Sequence, residues 1–332
     1  MNNPEGRGIG AIPLNNVDGV RMSTAIGYLT PVRNRLNLTI KANVTAHKVI
    51  FDGKQAIGVY VNSGGEMFNV NGTTIILSAG AIASPQLIML SGIGPKDLLD
   101  YLNIPLIHEL PGVGKNMKNH PAVSLRFKPM ENYYLGPDSP RNQMGLRFSA
   151  KGSKHKNDIQ VQTLTSGPAG HEADEIRVGC RLEFPLGCGE LTITANDPNV
   201  QPKLDYKFLI DQSDKERLRE AVRECAQLFE DPEFNDLIEA RIEPTDEQLA
   251  SDQLLDRWIA STLSIAGHTC RTCKMGPESD TEAVVDQHCN VYGVKGLMVI
   301  DASVMPEITT ANTNATTIMI GERASALING EN

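Results

Sequence analysis

Thr74-Ile75-Ile76-Leu77-Ser78-Ala79-Gly80-Ala81-Ile82-Ala83-Ser84-Pro85-Gln86-Leu87-Ile88-Met89-Leu90-Ser91-Gly92 is the stretch that decides the fold. It opens on a short continuous apolar run, Thr74 to Leu77, as a buried strand does. Small residues follow. Ser84-Pro85 then reads as a helix N-cap with proline at the first helical position. The helix is expected to run through Gln86 to Leu90 and to stop at Ser91-Gly92. A turn of small residues after a strand lets a ligand come close to backbone amides. Tight packing of strand against helix would use the same residues.

Outward from this unit, the Asp52-Gly53 pair sits between apolar runs and predicts a hairpin over residues 38 to 61. Gly64-Gly65 extends the hairpin to a meander through Met67 to Val70. A helix is expected over Pro95 to Leu102. Residues 121 to about 210 alternate apolar and polar in short runs with many Gly and Pro, the pattern of antiparallel sheet. Leu218, Ala221, Val222, Cys225 and Leu228 recur at helical spacing within 213 to 230. Further helices are expected over Asp246 to Ser264 and Thr316 to Ile328, with a strand at Leu297 to Ile300.

A formal net charge of -9 argues against a general basic field for nucleic acid or an anionic membrane. The apolar runs are too short to span a bilayer. With no apolar signal core in Met1 to Gly10, the chain reads as cytoplasmic. Six cysteines in 332 residues are too sparse for a disulfide framework, so free thiols are expected. Cys270-x-x-Cys273 lacks two further ligands at zinc spacing, and no metal site is expected. Gly6 to Ala11 formally fits G-x-G-x-x-A. A dinucleotide fingerprint must follow a strand and open a helix, and neither neighbour is legible here. The segment reads as a flexible loop.

Several long motifs, in order, carry a resemblance. They are Gly80 to Gly94, Gly112-Val113-Gly114-Lys115-Asn116-Met117-Lys118-Asn119-His120, and His268-Thr269-Cys270-Arg271-Thr272-Cys273-Lys274-Met275-Gly276. Val284-Val285-Asp286, Val299 to Pro306 and Asn312 to Glu322 follow. Together they resemble the glucose-methanol-choline oxidoreductases over nearly the whole chain, least between about 121 and 265.

That resemblance implies an α/β fold with α+β elements. A partial Rossmann-like FAD-binding domain (1–120 and, with the catalytic residues, 266–332) is interrupted by an antiparallel-sheet substrate-binding domain (121–265). It implies FAD as cofactor and a small-molecule alcohol as substrate, whether choline, a sugar or another alcohol. His268 is implied as the base that takes the alcohol proton while a hydride passes to flavin N5. Asn314 is implied to hydrogen-bond the substrate oxygen; as the residue before a helix it also suits an N-cap. For the cofactor, Val44 matches the position that meets the adenine, although an ordinary strand residue fits there too. Asp301 and Ala302 are implied near the ribityl and pyrophosphate, Thr313, Ala315 and Thr316 near the flavin carbonyl, and Gly80 in the turn after the strand. Arg271 replaces the family's usual glycine and is expected to bring a cation near His268. The family's N-terminal Gly-rich βαβ unit is expected to be absent. Two alternatives to a complete enzyme therefore stand: a half-enzyme needing a second chain, and an inactive fragment or binding module.

Overall fold

In the computed structural model, which describes residues 6–131, 133, 144–166 and 175–331, the strand Ile75–Leu77 pairs in parallel with Leu297–Val299. Ile75 and Leu77 face inward beside the buried Leu297 and Val299, while Ile76 on the opposite face is 45% exposed. The helix begins earlier than Ser84 and covers Gly80–Leu90, with Pro85 inside it. The reason lies in the first turn. A helix start leaves N–H groups unpaired. Here the Ser84 hydroxyl accepts from the Ala79 amide (3.0 Å) and the Asp301 carboxylate accepts from the Gly80 amide (2.9 Å). Ser84 thus serves the turn before it. Pro85 has no N–H to offer the carbonyl four residues back. That carbonyl, Ala81 O, accepts instead from the Thr272 hydroxyl at 2.6 Å. Ser84 through Leu90 are all buried, so this part of the helix is enclosed on every side.

The meander forms as Thr45–Asp52, Gln55–Ser63 and Glu66–Asn71. Asp52 pairs Gln55 across the turn. Leu38 and Ile40, expected to lead into it, lie outside any strand. Val49 and Ala56 point into the core that contains the 80–90 helix, and Ser91 Oγ accepts from the Val49 amide at 2.8 Å.

A second core lies under an antiparallel sheet of seven strands among the described residues. The order runs Gly8–Ala11, Met144–Phe148, Ile159–Ser166, Glu175–Leu182, Pro121–Pro129, Ile238–Glu243, with Ser264–Ile265 also on the 121–129 strand. Alternation sets its faces: Val123, Leu125 and Phe127 are buried, with half-buried residues between them. Two helices cover this core. Gln212–Leu228 presents Leu218, Ala221, Val222 and Cys225; Leu228, expected on the same face, is 42% exposed. Asp252–Thr262 presents Leu255, Trp258 and Ile259. The single helix expected over 246 to 264 is two. Thr245 closes a capping box on Asp246–Ala250, and an extended Ser251 caps Asp252–Thr262. At the helical edge of this core, Arg217 pairs Asp158 (2.8 Å) and Asp214 (2.5 Å), all three buried.

Gly8–Ala11 is a strand rather than a loop, paired with Arg147 back to Met144. No helix opens directly after it: Asn16–Val17 and Val20–Arg21 first form a small hairpin, and the next helical turns are Ala25–Leu29 and Thr30–Val32. Met1 to Glu5, and parts of the expected sheet at 132, 134–143 and 167–174, lie outside the described residues. The strands Glu190–Thr192 and Lys203–Asp205 pack Leu191 and Leu204 against the first core. The architecture is mixed α/β. Among the described residues no helix is long and apolar enough to cross a membrane.

Candidate active site

Two loops clasp each other where the cores meet. Lys118 and Cys270 exchange backbone hydrogen bonds (3.1 and 3.0 Å), and the Gly114 amide donates to Thr272 O at 2.8 Å. Gly114 has to be glycine. Its φ is +80°, and a Cβ would stand 2.3 Å from Leu191 O. At the centre Asn119 Oδ1 accepts from both the His120 amide (2.9 Å) and the His268 amide (3.0 Å). Its Nδ2 donates to Thr269 Oγ1 at 3.0 Å. One side chain therefore fixes two histidine backbones. The rings meet edge to face, centroids 5.0 Å apart, with 2.9 Å between their Nδ1 atoms. His120 Nε2 lies 2.9 Å from Thr309 O. His120 is fully buried and His268 is 7% exposed.

Burial keeps both rings neutral. His268 is lowered to about 4, by desolvation first and then by His120 and Arg181, with Glu183 opposing. His120 is lowered to about 3, again chiefly by burial, then by Arg181. Glu183 is raised by its own burial, against the pull of Arg181. The Glu183 carboxylate lies 3.2 Å from Arg181 Nε and 3.5 Å from His120 Nδ1, and has no hydrogen bond among the described residues.

Arg181, Glu183 and His120 were not singled out from the sequence. His120 ends a recognised loop. Arg181 and Glu183 are two apart at the end of the 175–182 strand, which puts both on one face. Charged residues at that spacing were the available signal. Arg271 does not act as expected. Its guanidinium donates to Pro306 O (2.8 Å) and meets Cys188 Sγ (3.3 Å), and the cation that bears on His268 is Arg181. Arg271 holds φ +73°, a conformation that favours glycine. Cys270 and Cys273 are separate buried thiols, the first pushed up to about 12 by desolvation.

The residues assigned to cofactor line up along the end of the parallel pair. Asp301 follows the 297–299 strand and is buried. Its Oδ2 accepts from the Gly80 amide (2.9 Å) and Ser84 Oγ (2.5 Å), its Oδ1 from the Ser303 amide (2.8 Å) and Ser303 Oγ (2.5 Å). Its carboxylate is thus occupied within the protein, holding the 80–90 helix to the 302–304 turn. Gly80 has φ +86° and nothing within 4 Å of where a Cβ would stand, so open space adjoins its backbone. Ala302 is half-buried at the start of the 302–304 turn. Thr313, and not Asn314, takes the N-cap position of the Asn314–Ile328 helix, and no side chain caps it. Asn314 and Ala315 are exposed in its first turn and Thr316 is half-buried. The loop before that helix is tied to the histidines through Thr309 O, and to Arg147 through Thr310 O (2.5 Å). Asn314 makes no hydrogen bond to His268 among the described residues. Val44 is half-buried just before the 45–52 strand.

Two models of one family, both described as GMC oxidoreductase, match residues 1–122 and 185–321. The chain is 33% identical over 353 residues to an oxygen-dependent choline dehydrogenase of Photobacterium profundum, covering 97% of this chain and 62% of that protein. It is 34% identical to an oxygen-dependent choline dehydrogenase of Escherichia coli, covering 94% of this chain and 61% of the relative. Pyridoxine 4-oxidase from Mesorbium loti superposes with a TM-score of 0.88 at 25% identity, covering 98% of this chain and 65% of that one. A fungal aryl-alcohol oxidase gives 0.84 at 22%, covering 97% and 66%. The chain belongs to the GMC oxidoreductase family. It spans about 62% of the length of the curated relatives it matches. The N-terminal family model covers residues 1–122, so the expectation that the family's N-terminal region is absent is not supported. The half-enzyme reading and its second chain rested on that expectation and lose their ground.

Proposed function

We propose that this chain carries the site at which an FAD-dependent enzyme oxidises an alcohol, with His268 as the base. The observation that carries this reading is a buried imidazole, held neutral and pinned by Asn119 and His120, within a family of oxidoreductases. FAD, when bound, supplies the acceptor that takes the carbinol hydride at flavin N5. The residues present suit such a group. Backbone gathers at the ends of two parallel strands, and beside Gly80 lies space that a Cβ would enter. Gly80 and Ala302 would meet the cofactor through their backbones, with Asp301 holding both in place. The uncapped first turn at Thr313, Ala315 and Thr316 would offer its amides to an electronegative oxygen. Val44 would flank the adenine. In this reading 1–120 and 266–332 form the FAD-binding part, and 121–265 the substrate-binding part.

In the reaction the alcohol O–H proton goes to the imidazole of His268, and the carbon left behind becomes a carbonyl. Asn314 orients the substrate oxygen as a hydrogen-bond donor. A choline-like, sugar-like or other small alcohol suits this chemistry. The names of its relatives, choline dehydrogenase and pyridoxine 4-oxidase, support an alcohol. His268→Ala tests the reading. Flavin reduction by the alcohol should slow by roughly 10²–10⁴-fold, the scale of general base catalysis, with flavin content unchanged. Unaltered stopped-flow traces would remove His268 from the mechanism.

A further inference from the structure

Two imidazoles that share a hydrogen bond through their Nδ1 atoms must divide their protons, and the partners on the far side settle how. Thr309 O is a carbonyl and can only accept. At 2.9 Å from His120 Nε2 it requires a proton on that nitrogen. A bare Nε2 would set two lone pairs against each other at the same distance. His120 carries a single proton, because burial and the Arg181 cation oppose a second one, although the Thr309 and Glu183 backbone carbonyls favour it. The Glu183 carboxyl stands 3.5 Å from His120 Nδ1, too far for a good hydrogen bond, and burial drives it toward its neutral form. With Nε2 protonated, His120 Nδ1 is a lone pair.

We infer that His120 is a positioning residue that sets the tautomer of His268: it accepts from His268 Nδ1–H and so leaves His268 Nε2 as the bare nitrogen that takes the substrate proton. The chain runs from Thr309 O through His120 Nε2–H and His120 Nδ1 to His268 Nδ1–H. In the opposite tautomer His268 would present Nε2–H, and two bare Nδ1 atoms would face each other at 2.9 Å. Arg147 supports the same loop by donating to Thr310 O, next to the carbonyl that starts the chain. The inference rests on His268 being the base, but the tautomer itself is read without turnover.

The experiment is a long-range ¹H–¹⁵N correlation spectrum of the full chain with ¹⁵N-labelled histidine, which separates protonated from bare ring nitrogens. The expected pattern is His268 protonated at Nδ1 and bare at Nε2, and His120 protonated at Nε2 and bare at Nδ1. His120→Phe keeps a flat ring but removes the acceptor, so the Nε2–H form of His268 should grow. The kcat for flavin reduction should then fall roughly 2–10-fold, the bias one hydrogen bond sets, with KM for the alcohol unchanged. His120→Asn places an amide oxygen near the lost Nδ1 and should restore both the tautomer and most of the rate. A wild-type His268 with its proton on Nε2 would overturn the inference. So would a folded His120→Phe protein whose His268 tautomer and kcat match the wild type. If His120→Phe does not fold, the wild-type spectrum and the Asn variant still decide. The expected spectrum together with undiminished flavin reduction in His268→Ala would sustain the tautomer and refute the base, so the two failures are distinguishable.

Discussion

Asp301→Ala is the most demanding test of the architecture that supports the site. The carboxylate accepts from the Gly80 and Ser303 amides and from the Ser84 and Ser303 hydroxyls. In the Ala variant the hydroxyls rotate to other acceptors, but the two amides cannot move without moving the backbone. The Ser303 amide is buried, and a buried donor left unpaired costs about 1–3 kcal/mol, whereas the half-buried Gly80 amide adjoins open space, so the variant should lose at least roughly 1–3 kcal/mol. Asp301→Asn keeps one acceptor oxygen that can satisfy the Ser303 amide, and should lose less. A domain is commonly stable by only ~5–15 kcal/mol, so the Ala loss would be conspicuous. Urea denaturation reads it as a lower midpoint at an unchanged slope. A change below about 0.5 kcal/mol in Asp301→Ala, the range of an ordinary surface substitution, would refute the view that Asp301 holds the helix to the turn.

Three further outcomes follow from named geometry. His120 and His268 stay neutral in the fold down to about 3 and about 4, whereas the unfolded chain protonates them near 6.5. The unfolded state therefore binds more protons in that window. The melting temperature should hold above about pH 6.5 and fall as the pH drops toward 4, Glu183 offsetting part of the loss by taking up its proton earlier in the fold. His120→Asn should flatten that slope, and an equal slope would count against the buried pair as its source. Gly80→Ala meets no atom but must hold φ +86°, which predicts a loss of about 1–2 kcal/mol and weaker FAD binding, read by thermal melting and flavin fluorescence titration. Unchanged FAD affinity would show that the space beside Gly80 is not the cofactor's. Arg217→Ala would leave Asp158 and Asp214 buried without their cation, at a cost of about 3–5 kcal/mol in chemical denaturation. A near-neutral result would mean that water or a rearranged side chain replaces the guanidinium.

The local elements were legible wherever one short-range rule dominates. The Asp52-Gly53 hairpin follows from turn chemistry, and the 212–228 helix from the spacing of Leu218, Ala221, Val222 and Cys225. His268 stood out only because an ordered set of motifs surrounds it. The helix start at Gly80 was not legible, because its cap comes from Asp301, over two hundred residues away. A reading confined to neighbours therefore placed the start at Ser84-Pro85. Gly8–Ala11 was misread for the same reason, since its strand partners lie at Met144–Arg147.

The sequence by itself determined which residue types are present and which segments lean toward helix, strand or turn, and so the broad α/β class and the identity of the candidate base. Tertiary structure alone decided what surrounds that base. Asn119, His120 and Arg181 act on His268 directly and Thr309 through His120, from three separate segments, and nothing in their spacing along the chain announces it. Side-chain periodicity reports which face of an element is buried, not which other element covers it. A proton's position on a ring is set by hydrogen-bond partners a few ångströms away in space, and those partners exist only once the loops have closed on one another.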